Sequence, residues 1–168
     1  TDTSTETGDT DTTADTGENL DLSILRGAAR SSGRELGAAL NRSAMENDAD
    51  YLALLLSEFG AITPENATKW GALQPAENVW DFSVAESMVD LAETHNLRVK
   101  GHTLVWHNQL PSWVSESMDA AKLSAAMKAH ITATLLEFKD RIPDWDVANE
   151  VFESDGSMRL TFDDTGSS

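Results

Sequence analysis

Apolar residues recur along the chain in short runs and longer periodic stretches separated by polar turns. Gly37-Ala38-Ala39-Leu40 is a run of small and apolar residues that predicts a first strand. From Ala49 to Phe59, apolar Tyr51, Leu52, Leu55, Leu56 and Phe59 fall at helical spacing and predict a helix with one buried face. Ala61-Ile62-Thr63 predicts a second strand closing at Pro64, which has no N–H to give to a ladder, and a polar loop is expected from there to Trp80. Ser83 stands three residues ahead of Glu86, the signature of a capping box. Val84, Met88, Leu91 and Ala92 supply the apolar stripe of the helix it would start, which should end near Asn96. Leu97 to Trp106 predicts a third strand, with His102, Leu104 and Trp106 on one face and Thr103, Val105 and His107 on the other. Asp119 is the expected cap of a long helix reaching about Arg141, where Leu123, Met127, Ile131, Leu135 and Phe138 repeat every three or four residues. Pro143 stops that helix. Asp144 to Glu150 then predicts a fourth strand, with Asp146, Ala148 and Glu150 on one face and Trp145, Val147 and Asn149 on the other.

Strands alternating with helices predict an α/β unit built on a parallel sheet with right-handed crossovers. In such a sheet the C-terminal strand ends gather along one edge, so residues distant in sequence meet there. Three of the expected strands end in polar or aromatic groups: Glu65, Asn66 and Lys69; His102, Trp106 and Gln109; Asn149 and Glu150. A strand covered on its faces should be mostly apolar, so these endings call for a reason. Hydrogen-bonding groups beside tryptophan faces suit a polyhydroxylated ligand such as a sugar, whose hydroxyls need partners and whose apolar ring face can stack. Each residue also has a plainer explanation. A buried histidine such as His102 is more often a satisfied core residue, Lys69 alone would be a solvated charge, and tryptophans fill cores, a reading retained for Trp145. Convergence on one edge is what favours a site.

Composition narrows the partners. Twenty-nine acidic against 12 basic residues give a formal net charge of −17, which argues against nucleic acid and against anionic membrane surfaces and suits a neutral ligand. There is no cysteine, hence no disulfide framework and no thiolate metal site. His102 and His107 lie on opposite strand faces, so a shared metal is not expected, and nothing implies a cofactor. No run of about 18 apolar residues could span a membrane. Residues 1–22 carry seven acidic residues and no basic one among Thr, Ser and Gly. Such a segment cannot bury enough apolar surface to offset its ordering entropy, so it is expected to be a disordered acidic linker before a domain over 23–168. The chain begins at Thr1 rather than Met, which suggests a processed or truncated product.

Three stretches carry a family resemblance: Thr63-Pro64-Glu65-Asn66-Ala67-Thr68-Lys69-Trp70, Gly101-His102-Thr103-Leu104-Val105-Trp106-His107-Asn108-Gln109-Leu110-Pro111, and Trp145-Asp146-Val147-Ala148-Asn149-Glu150. They closely resemble three successive motifs of glycoside hydrolase family 10, the (β/α)8 endo-1,4-β-xylanases, over roughly Leu36 to Arg159. The resemblance implies a partial TIM barrel, about the first four strand-helix units. It implies that Glu150 is the general acid/base of a retaining hydrolysis, that Asn149 hydrogen-bonds the sugar in the −1 subsite, and that Glu65, Asn66, Lys69, His102, Trp106 and Gln109 line the glycone subsites. Xylan or xylo-oligosaccharides become the expected ligands and secretion the expected destination. Retention needs a second carboxylate as nucleophile, about 5 to 5.5 Å away. In the family it sits on the seventh strand, and the resemblance assigns Glu65 to substrate binding, so the nucleophile is absent from this chain. Family members often carry Asn at the position of Gly60 and Met at that of Thr68, differences expected to affect packing more than chemistry. Three readings stay open: part of a secreted xylanase, inactive alone; a sugar-binding half-barrel without hydrolysis; and a fold fragment of no independent function, self-associating through exposed sheet edges. The later carboxylate separates the first from the others.

Overall fold

The computed structural model describes residues 21, 24–115 and 117–159. All of the expected acidic linker except Asp21 lies outside them. The elements run α1 (Leu25–Ser31), β1 (Gly37–Leu40), α2 (Arg42–Asn47), α3 (Ala49–Glu58), β2 (Ala61–Pro64), α4 (Trp70–Leu73), α5 (Ser83–Thr94), β3 (Arg98–Val105), α6 (Ala120–Glu137) and β4 (Asp144–Ala148). The four strands form one parallel sheet in the order β1-β2-β3-β4, with Ala38 opposite Ile62, Ile62 opposite Val99, and Gly101 opposite Trp145.

One face of the sheet is covered. Leu40, Ile62 and Val99 meet Leu55 of α3 and Ala85, Met88, Val89 and Ala92 of α5 in a core that extends to Phe138 and Ile142, with Trp145 packed against it. The core reading of Trp145 holds. Gly101 is needed beneath that indole, because a Cβ there would stand 2.2 Å from a Trp145 ring carbon.

The expected strands all form; the helices differ in detail. Three short helices, α1, α2 and α4, form where none was expected, α4 within the loop after Pro64. They are too short for a periodic stripe to announce them; α2 is held at its start by Asn41, whose side chain accepts from Ala44 N at 3.0 Å. Ser83 is not the cap of α5. It lies inside the helix, and Asp81 accepts from both its N–H (3.1 Å) and its hydroxyl (2.6 Å). Asp119 does cap α6, accepting from Lys122 N at 2.7 Å. That helix ends at Glu137, four residues sooner than expected, and Asp140 in the left-handed region (φ 65°) turns the chain toward β4.

The buried face of α6 is also offset. His130 and Thr134 are fully buried, whereas Leu135 is exposed beside Leu136. The expected stripe holds in part: Leu123, Met127 and Ile131 are half-buried and Phe138 is buried, whereas Leu135 falls on a side of α6 with no covering element among the described residues.

Candidate functional site

The candidate site is assembled at the C-terminal edge, and an irregularity in β3 shapes it. His102 pairs with Asp146 and Val105 with Ala148, so β3 places two residues, Thr103 and Leu104, where β4 places one. This is a bulge, and it breaks strict alternation: Thr103 and Leu104 are both buried. The His102–Thr103 peptide is cis. His102, Leu104 and Trp106 therefore do not share one face as the period of two predicted. Thr103 Oγ1 donates to the Asp146 carbonyl at 2.8 Å, securing the bulge to β4.

Beyond the bulge, Trp106 and His107 reach Glu150. Trp106 Nε1 donates to Glu150 Oε2 at 2.8 Å, and His107 Nε2 lies 2.8 Å from the same oxygen. Glu150 itself stands past the end of β4 in the left-handed region (φ 52°), so the alternation with Asp146 and Ala148 does not extend to it. The Trp106 hydrogen bond, then that of His107, holds its carboxyl below the usual range despite some desolvation. His107 was missed as a site residue because alternation sent it to the opposite face; β3 ends at Val105, so that alternation does not reach His107.

The other wall is the loop between β2 and α4. Lys69 is buried, its Nζ donates to Asn66 Oδ1 at 2.8 Å, and it lies 4.6 Å from the Trp106 ring centroid in a cation–π contact. Burial pushes its ammonium below its ordinary value, against the opposing pull of Glu65 and Glu150. Glu65 Oε2 accepts from Asn41 Nδ2 at 2.5 Å. Thr68, in the same loop, bonds to the backbone of His102.

His102 is half-buried with Nδ1 at 3.0 Å from Asp146 Oδ2, and its ring lies 6.5 Å from that of Trp106. Asp146 also pairs with Lys100 at 2.7 Å. Desolvation is the largest single influence on Asp146 and would raise its pKa, but the bonds from Lys100 and His102 together outweigh it and hold the carboxyl low.

Six of the predicted residues, Glu65, Asn66, Lys69, His102, Trp106 and Glu150, are thus linked by contact or by field. Gln109 and Asn149 are held by backbone bonds to neighbouring segments. The Gln109 carbonyl accepts from Gly71 N at 3.1 Å, and Asn149 N donates to the Val105 carbonyl at 2.9 Å. Among the described residues no group of three His, Asp or Glu side chains is arranged to hold a metal ion.

A buried histidine supports both walls from beneath. His130 stacks on Trp70 at 4.6 Å with an interplanar angle of 10°, and its Nε2 donates to the Leu104 carbonyl at 3.1 Å. Burial lowers its pKa to about 4, so the imidazole is neutral.

A parallel βα sheet with a carboxyl, two histidines, a lysine and an indole gathered at its C-terminal edge has the anatomy of part of a βα-barrel enzyme. The chain belongs to glycosyl hydrolase family 10, whose model matches residues 24–166. It is 42% identical over 113 residues to endo-1,4-beta-xylanase 2 of Claviceps purpurea, covering 67% of this chain and 34% of that protein. To endo-1,4-beta-xylanase C of Phanerodontia chrysosporium it is 41% identical over 115 residues, 67% of this chain and 29% of that protein. The fold matches Penicillium canescens endo-1,4-beta-xylanase XylE with a TM-score of 0.78 at 35% identity, over 82% of this chain and 42% of that one. Native xylanase 10B of Thermotoga maritima gives a TM-score of 0.78 at 34% identity, over 82% and 44%. The chain thus spans about a third of the length of these curated relatives and under half of the solved ones.

Proposed function

We propose that residues 23–168 are the first half of a retaining endo-1,4-β-xylanase barrel, with Glu150 as general acid/base. The observation that carries this reading is the Glu150 carboxyl at the end of β4, gripped on one oxygen by Trp106 and His107. In the first step Glu150 gives its proton to the leaving glycosidic oxygen while a second carboxylate attacks the anomeric carbon. In the second step Glu150 takes a proton from the water that releases the glycosyl-enzyme. That nucleophile is supplied by strands beyond β4.

Proton donation needs a carboxyl that keeps its proton, and in this chain alone the setting of Glu150 pushes the other way. A nucleophile carboxylate about 5 to 5.5 Å away would raise its pKa by like-charge repulsion. The later half of the barrel therefore both completes the chemistry and corrects the acid. Glu65, Asn66, Lys69, His102, Trp106, Gln109 and Asn149 form the glycone wall, with polar groups for hydroxyls and the Trp106 ring as an apolar surface. Half a cleft leaves much of a xylo-oligosaccharide in water, so this chain alone binds weakly and does not hydrolyse. A polymeric substrate too large to enter a cell supports export of the enzyme. Replacing Glu150 by Gln in the complete barrel tests the assignment: hydrolysis should collapse, most for poor leaving groups, and near-normal turnover of xylan would rule it out.

A further inference from the structure

Thr68 is fully buried in the loop that follows β2. Its Oγ1 donates to the His102 carbonyl at 2.7 Å and accepts from His102 N at 3.1 Å. A single hydroxyl thereby satisfies both backbone groups of one residue, 34 positions away. The β2–β3 pairing extends only through Ala61 with Arg98 and Ile62 with Val99. Beyond that point the two strands diverge, and Thr68 bridges the gap that the ladder leaves.

The position of the bridge matters. The loop from Glu65 to Lys69 carries three residues of the glycone wall, and His102 is a fourth; with its backbone held by Thr68 and its ring by Asp146 Oδ2 at 3.0 Å, His102 is fixed at both ends. We propose that Thr68 is a positioning residue for glycone binding: its hydroxyl locks the loop carrying Glu65, Asn66 and Lys69 to His102 and so sets the spacing of the two walls. The claim rests on the proposed sugar site for its purpose, though the lock itself does not.

Thr68→Val keeps the shape and removes the hydroxyl, whereas Thr68→Ser keeps the hydroxyl. In this chain, nitrogen-15 spectra of the histidine rings should show the His102 signals displaced in Thr68→Val and nearly native in Thr68→Ser, with Asp146→Asn as the control that identifies them. In xylobiose titrations of the complete barrel Thr68→Val should lose roughly tenfold in affinity, as expected when buried backbone groups lose their partner and the wall relaxes, and Thr68→Ser should regain most of it. Unmoved His102 signals in a folded Thr68→Val, or an equal loss of affinity in Thr68→Ser, would overturn the proposal. Should Thr68→Val not fold, exchange in the unaltered chain decides: a His102 amide exchanging as fast as exposed loop amides refutes the lock. Displaced His102 signals together with no xylobiose response even in the unaltered complete barrel would leave the lock standing and refute the sugar site instead.

Discussion

The two faces of the sheet are held by different forces. Toward the helices, Leu40, Ile62 and Val99 are at most 2% exposed and pack on α3 and α5. On the opposite face, Arg98 pairs with Asp144 at 2.6 Å, and Asp146 joins Lys100 to His102. In a closed barrel this second face would look inward, and here its side chains keep a third to a half of their surface in water. Apolar burial yields about 25 cal/mol per Å² removed from water, whereas an exposed ion pair contributes about 0 to 1 kcal/mol. The covered face can sustain the fold; the open one is built to be closed upon. The edge next to β4 carries the same message in apolar form, since Val147, Phe152 and Met158 are 60–66% exposed.

The largest effect expected from this contrast is catalytic. Mixing the chain with a second one carrying the later strands of the barrel should bury the open face and the β4 edge, so that reducing sugar is released from xylan only by the mixture and not when Glu150→Gln is used. Alone, the chain should self-associate through its edges, seen as a concentration-dependent elution volume in size-exclusion chromatography. A monomeric chain that cleaves xylan unaided would contradict the contrast at its root.

Next in size is a cut into the covered face. Phe138 is 1% exposed and meets Phe82 edge-on at 5.8 Å, so Phe138→Ala should cost about 3–5 kcal/mol in urea unfolding followed by circular dichroism. For a half-domain that would abolish the cooperative transition.

Acid should act on the covered face through His130. Its folded pKa of about 4 lies below the ordinary histidine value of about 6.5, so the unfolded chain binds the extra proton first. Stability contributed by the neutral ring is complete above about pH 6.5, declines as pH falls and is lost by pH 4, a total of about 3 kcal/mol. His130→Gln should remove that slope from stability measured against pH.

The smallest effect belongs to the open face. Asp146→Asn should cost less than about 1 kcal/mol, because its partners are largely solvated. Asp146 has a depressed folded pKa, so what it contributes is present above the ordinary carboxylate range and lost as pH falls through the folded value. The His130 window lies higher. A loss above 2 kcal/mol in Asp146→Asn would mean that the ion-pair face carries the fold after all.

Much of this was legible in the chain. All four strands and the three longer helices follow from period and length, because burial of one face imposes a spacing that survives in the order of residues. Glu65, Asn66, Lys69, Trp106 and Glu150 could be named because they stand where strands end, and a parallel sheet brings such ends together. What alternation could not convey was the bulge at Thr103 and Leu104, which buries two successive residues, and the end of β3 at Val105, after which strand facing no longer applies. His107 reaches Glu150 from beyond that end, beside Trp106.

The order of residues by itself determined the parallel strand-helix plan, the acidic character of the chain and the identity of its polar strand ends, since these depend on local spacing and charge. Only the tertiary structure decided which side chains meet: the grip of Trp106 and His107 on Glu150, the neutral His130 beneath Trp70, and the Thr68 hydroxyl on His102. These depend on distances between segments tens of residues apart, and a one-residue change in register redirects them while leaving the local pattern intact.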